Sequence, residues 1–268
     1  MARYLNGNGS TAGGYISIGN ILQSVATSAI TFSIWCYPMA FAGTNGINAL
    51  MGQSGNASDC DLQIEDQSGT RLFRFYVTDT GGECTVASTT VPAINTWYPV
   101  AASWSGTDAS RMFVNGTQEN SNTTNVSGTR LTNSNVFVIG HSGYWPQPTP
   151  ARYFNGNLAD AAIWNVVLSP LEIAALAKGR RPSQVRPLSL VGYWPLDGLQ
   201  SPEPDLSGNR NNGTLTGTSL AFGAPVGPSV YGPRASLIAL GAAASLGQAV
   251  RRNEVTSRRR IIRPWEGR

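Results

Sequence analysis

A chain of 268 residues and 28.4 kDa can form one large β-sandwich or two small domains, and it buries enough surface to need no disulfide staples. Charged residues make up 13 % and hydrophobic residues 41 %, with 30 Gly, 16 Pro and a single lysine, Lys178. This argues against a helical protein and for an all-β fold with many tight turns. The formal charge of +4 belongs to the end of the chain, where eight Arg after Val230 face Glu254 and Glu266 and the remainder is near neutral.

In chain order, Ala2-Arg-Tyr-Leu reads as a first strand ended by a Gly/Asn turn, and Tyr15-Ile-Ser-Ile as a second. Residues 30–37 alternate, with Phe32, Ile34 and Cys36 on one face and Thr31, Ser33 and Trp35 on the other. Residues 48–52 and 60–65 are two further strands. Residues 71–77 and 84–88 form a hairpin turned by Asp79-Thr-Gly-Gly. Residues 97–104 and 111–115 follow, the latter ending in Asn115-Gly116, a strong hairpin signal. Residues 120–135 are polar and Thr/Asn-rich, a surface loop or edge. Residues 136–140 and 157–164 resume the strands. Ser169 then caps a short helix, with Pro170 at its first position and Glu172 at its third, and Gly179 stops it.

Cys60 and Cys84 fall on the first and third strands of a meander, roughly 9–10 Å apart. A disulfide needs Cα atoms within about 7 Å, so Cys36, Cys60 and Cys84 are expected to be reduced, buried thiols. Met1 leads into Ala-Arg-Tyr-Leu-Asn-Gly without a charged start and an apolar run, so no secretory signal is read. Residues 235–250 are too short and too rich in Gly and Ser to span a bilayer. The six Asn-x-Ser/Thr sequons, at Asn8, Asn56, Asn115, Asn122, Asn125 and Asn212, are then chance in a Thr/Asn-rich chain.

The order and spacing of several short pieces carry more than any one of them. These are Thr31-Phe-Ser-Ile-Trp, Thr96-Trp, Phe113-Val-Asn-Gly, Val138-Ile-Gly, Phe154-Asn-Gly, and Ile163-Trp-Asn followed by Leu168-Ser and Glu172-Ile. Over roughly residues 2–178 the chain resembles the laminin-G-like and concanavalin A-like lectin/glucanase superfamily. The resemblance implies an all-β jelly-roll sandwich of two antiparallel sheets with one short helix, here followed by an extended C-terminal tail. Leu190-Val-Gly-Tyr-Trp-Pro-Leu-Asp-Gly and Asp205-Leu-Ser-Gly-Asn-Arg-Asn-Asn-Gly look like the superfamily's usual opening strands, yet they come last. They are either a truncated second domain or strands that return beside the first strand. About 40 residues bury too little to fold alone, which favours the second arrangement. The expected division is a sandwich over 1–228, with 190–222 as returning strands, and a basic tail over 229–268.

Catalytic chemistry is scarce. Glucanases of this fold carry two carboxylates about 5–5.5 Å apart for retaining hydrolysis. The candidates here are Glu65-Asp66, whose side chains point to opposite faces, and Asp61, which shares a face with Gln63 and Glu65. That pattern reads more readily as a solvated strand than as an acid/nucleophile pair, so the chain is expected not to be an enzyme. His141 lacks a triad context and reads as a rim histidine. Relatives often hold calcium through an Asp-Glu pair where this chain has Ala159-Asp160, so Asp160 is a weak metal candidate and calcium is the only cofactor considered. Sugar binding needs planar aromatics with amides or hydroxyls beside them, and His141, Tyr144, Trp145 and Gln147 offer that mix, with packing as the alternative for Trp145.

The tail residues Arg251, Arg252, Arg258, Arg259, Arg260, Arg263 and Trp265 read as an anchor for an acidic protein surface, in preference to nucleic acid. With the resemblance, this suggests a non-catalytic virion surface protein, most readily of a bacteriophage. It would be made in the host cytoplasm, attached to other virion proteins as an oligomer or part of a large assembly, with surface glycans as further partners and no membrane contact. The alternatives are a free lectin-like carbohydrate-binding module and, less favoured, a polysaccharide hydrolase.

Overall fold

Alternating apolar residues and Gly/Asn turns fold into two antiparallel sheets in a computed structural model, which describes residues 1–7, 13–25, 28–43, 46–54, 60–142 and 152–225. The larger sheet is ordered β10 (Thr117–Asn122), β9 (Ser110–Val114), β8 (Tyr98–Ser105), β3 (Ala29–Ala40), β12 (Asn155–Trp164), β1 (Ala2–Leu5) and β15 (Thr218–Ala221). β13 (Leu190–Trp194) also pairs with β12. The smaller sheet is ordered β14 (Thr214–Thr216), β2 (Tyr15–Gly19), β11 (Phe137–Ile139), β4 (Ile47–Gln53), β5 (Cys60–Gln67), β6 (Thr70–Asp79) and β7 (Gly82–Ala87). The fold is thus an all-β sandwich consistent with a jelly roll. α1 (Pro170–Ala177) is the one α-helix among the described residues. None of the described helices is long and apolar enough to cross a membrane.

The two sheets share one core. Phe32 of β3 meets Phe75 of β6 at 5.4 Å and Phe137 of β11 at 5.7 Å, both edge-on, and Phe137 stacks on Trp194 of β13 at 6.2 Å. Leu62, Ile64, Val100, Trp104, Leu158 and Ile163 fill the space around them. The free cysteines are all buried, as expected. Cys60 and Cys84 both lie across from Val77 of β6, one strand on either side of it. Burial pushes the Cys36 thiol well above its ordinary pKa.

The opposite face of β3 differs from a simple solvent-facing side. Thr31, Ser33 and Trp35 are all buried. α1 and the segment after it roof that face, joining Phe113, Ala162, Trp164, Leu168, Ile173, Leu176 and Tyr193 in a second cluster. The Thr31 hydroxyl donates to Val166 O at 2.7 Å and accepts from Leu168 N at 3.1 Å, so its polarity is absorbed by the connection to the helix. α1 starts with the expected capping box. Ser169 Oγ accepts from Glu172 N at 3.3 Å, and Glu172 Oε2 accepts from Ser169 N at 2.7 Å. Asn115 and Gly116 turn the β9–β10 hairpin with φ of 54° and 79°. A Cβ on Gly116 would lie 2.8 Å from Ala177 Cβ, so this turn needs glycine for both its angle and the helix beside it.

The segment after the helix supplies strands to both sheets. β13 pairs with β12, β14 with β2 and β15 with β1. β12 changes partner partway, from β1 at Gly156–Leu158 to β13 at Ala161–Trp164, and Asp160 sits at the change with φ of 48°. A buried ion pair ties the loop after β13 to β1. Arg3 Nη2 donates to Glu203 Oε2 at 3.0 Å, and Glu203 Oε1 accepts from Asp197 N and Gly198 N at 3.0 and 3.2 Å.

Candidate functional site

The richest polar construction lies in the run Asp205-Leu-Ser-Gly-Asn-Arg-Asn-Asn after β13. Such a run cannot form ladder bonds throughout, so its side chains organise its backbone. The Asp205 carboxylate is the hub. Oδ1 accepts from Tyr193 N and Ser207 N, both at 2.9 Å, and Oδ2 from Ser207 Oγ at 2.8 Å and Asn211 N at 2.9 Å. Asn209 Nδ2 donates to Leu190 O at 2.8 Å and Val191 O at 3.0 Å, and Asn211 Nδ2 to Val191 O at 3.0 Å. These partners are carbonyls, so both amides turn their nitrogens inward and leave Oδ1 as an acceptor, with no donor to it among the described residues.

Beside this loop opens a pocket of about 440 Å³. Asn209, Asn211, Asn165, Asn20 and Ser189 line it with the apolar sides of Ile21, Val25, Leu188, Leu190 and Val191. Its volume lies in the roughly 300–1,000 Å³ range of small-ligand sites. No described lining residue is charged. Asn20 is held between Gln53 Nε2, which donates to its Oδ1 at 3.0 Å, and Gln23 Oε1, which accepts from its Nδ2 at 2.7 Å. The Asn165 side chain makes no hydrogen bond among the described residues, while its backbone N–H donates to Ser189 O at 3.0 Å. The pocket therefore combines fixed amide acceptors with one uncommitted amide. Sequence reasoning missed it. Asn209 and Asn211 lay in a run read as family strands and Asn165 in a family motif, and only the return of β13 beside β12 brings them together.

The sequence-derived candidates lie elsewhere. His141 is buried, with its ring 4.2 Å from Tyr153 and 6.2 Å from Tyr15, and its Nε2 has no hydrogen-bond partner. Burial, then the positive charge of Arg152, lowers its pKa to about 4, so it is neutral near pH 7. Tyr144, Trp145 and Gln147 lie outside the described residues, as do Arg251, Arg252, Arg258, Arg259, Arg260, Arg263 and Trp265. Asp160 is buried and accepts the Tyr193 hydroxyl at 2.5 Å. Burial raises its pKa, against the pull of that hydrogen bond and of Arg181. Among the described residues no three His, Cys, Asp or Glu side chains gather as a metal set.

On the acidic face of β5, Glu65 is held by its neighbours. Glu65 accepts from the Tyr76 hydroxyl, from Gln63 Nε2 at 3.2 Å and from Gln67 Nε2 at 3.2 Å, and lies 3.7 Å from Arg74. Asp61 and Glu65 share that face four residues apart, which separates their Cα atoms by about 13 Å. Asp66 faces away and pairs with Arg71 at 3.1 Å.

The family model described as the concanavalin A-like lectin/glucanases superfamily, a laminin G type, matches residues 8–174. This covers more than half of the chain, which belongs to that superfamily. Among solved structures, a Bacteroides ovatus protein proposed to bind carbohydrate is 21 % identical, with a TM-score of 0.65 over 84 % of this chain and 61 % of that one. The present chain thus spans about three-fifths of the length of that protein. A heptameric SAP-like pentraxin from Limulus polyphemus is 14 % identical, with a TM-score of 0.50 over 68 % of this chain and 83 % of that one. At such identities the likeness is one of fold. No curated protein sequence matches.

Proposed function

We propose that this chain is a non-catalytic carbohydrate-binding protein whose Asn-lined pocket takes an uncharged glycan. The observation that carries the reading is the pocket itself, with Asn20, Asn209 and Asn211 held by their own hydrogen bonds, Asn165 uncommitted and no charged residue among its described lining. Sugar hydroxyls donate and accept, and amides match them without the desolvation penalty of a buried charge. Fixed side chains lose little entropy on binding. The family and the likeness to the Bacteroides ovatus protein support the same reading. The non-catalytic part is supported by Glu65, which already accepts the Tyr76 hydroxyl and lies 3.7 Å from Arg74. A panel of uncharged and acidic glycans tests it: binding of uncharged glycans without release of reducing ends is expected, and a blank panel or released ends contradicts it.

A second reading, a bacteriophage virion surface protein anchored to other virion proteins, is supported by the Arg-rich composition after Val230. Removal of residues 230–268 should abolish incorporation into particles, and normal incorporation contradicts it.

A further inference from the structure

The larger sheet carries a second feature at the other end of β12 from Asn165. On one face the register lines up Tyr37 of β3, Asn157 of β12, Tyr4 of β1 and Ser219 of β15. Trp97, just before β8, brings its ring to 5.4 Å from Tyr37. Phe222, just after β15, lies 5.0 Å from Tyr37 and 6.1 Å from Trp97, nearly perpendicular to both. Phe222 is 57 % exposed, and Tyr4, Tyr37 and Trp97 are half-buried. Within this aromatic row Asn157 is 1 % exposed, and neither its Oδ1 nor its Nδ2 has a hydrogen-bond partner.

Two demands meet here. The rings offer apolar area to an apolar face, and the amide asks for a donor and an acceptor side by side. A hydrocarbon satisfies the first and leaves the amide with its full desolvation penalty. A pyranose satisfies both, because it has a C–H face and adjacent hydroxyls. We propose that this row is a second carbohydrate subsite, in which a pyranose packs on Trp97, Tyr37 and Phe222 and a vicinal hydroxyl pair engages the Asn157 amide. The proposal rests on the carbohydrate-binding reading but not on the Asn-lined pocket. Asn157 is closed over in this conformation, so Tyr4, its neighbour on β1, turns aside when the sugar binds.

The test is an NMR titration of the full chain with methyl β-glucopyranoside, methyl α-galactopyranoside and, as an apolar ring with one hydroxyl, cyclohexanol. It is run in the wild type and in Asn165→Ala, where the pocket is impaired. The expected result is saturable shifts of the Asn157 side-chain amide and the Trp97 indole N–H with a pyranoside but not with cyclohexanol, in both proteins. Asn157→Leu should weaken that binding at least about tenfold without lowering Tm, because it removes an unpartnered amide. Trp97→Ala should weaken it similarly. Equal response to cyclohexanol, or a lower Tm in Asn157→Leu with unchanged sugar affinity, overturns the subsite. Shifts confined to the amides of Asn165 and Asn209 overturn the subsite alone. No shift at either place overturns both it and the carbohydrate reading.

Discussion

Asn165, His141 and Asp205 show how differently a polar side chain can serve this fold. Asn165 lines the pocket with no hydrogen bond of its own among the described residues. Asn165→Ala should therefore leave Tm nearly unchanged while weakening glycan affinity, which thermal unfolding and calorimetric titration check together. Asp205 is the opposite case, since its carboxylate accepts three hydrogen bonds from the loop that carries Asn209 and Asn211 and a fourth from Tyr193 N of β13. Asp205→Ala should cost about 3 kcal/mol or more in denaturant unfolding and abolish binding, because several donors lose their acceptor at once. His141 is held neutral, with a folded pKa near 4 against an ordinary 6.5. Between those values the unfolded chain binds more protons, so the His141 contribution to stability falls as pH drops from about 6.5 to about 4 and is fully present above 6.5. Asp160 and Glu203, raised by burial, shift in the opposite sense. The His141 effect is thus read as a difference: His141→Phe should flatten the loss over that window, and an unchanged pH profile contradicts the assignment.

Among the elements, the segment that carries β13 to β15 is tied to β1 by a buried ion pair as well as by strand pairing. Arg3 and Glu203 are both almost wholly buried, and Glu203 also holds the backbone of Asp197 and Gly198. Removing one member of such a pair leaves a charge without compensation, at about 3–5 kcal/mol. Glu203→Ala should show that loss in chemical denaturation, with early hydrogen exchange in β14 and β15; a loss within experimental error contradicts the link. The strands themselves were legible because alternation and turn residues are local signals, as in residues 30–37 and Asn115-Gly116. The capping box at Ser169 was legible for the same reason. The burial of Thr31, Ser33 and Trp35 on the second face was not, because it depends on elements distant in sequence: the α1 region over one part, and Trp97 and Ala224 beside Trp35. The pocket was invisible for a like reason. Asn20, Asn165, Asn209 and Asn211 are ordinary turn residues until sheet pairing gathers them.

For the whole molecule, the family places this chain among sandwiches that share a fold across lectins and glucanases, so function has to be argued from its own side chains. Glu65 on its acidic face is engaged by its neighbours, while its amide-lined pocket is uncharged among the described residues. The most direct measurement is calorimetric titration of the wild type and Asn165→Ala with the strongest uncharged glycan found in a panel screen. The account predicts saturable binding by the wild type, weakened at least about tenfold in Asn165→Ala at equal Tm. Absence of binding by the wild type, or equal affinity in the two proteins, would contradict it.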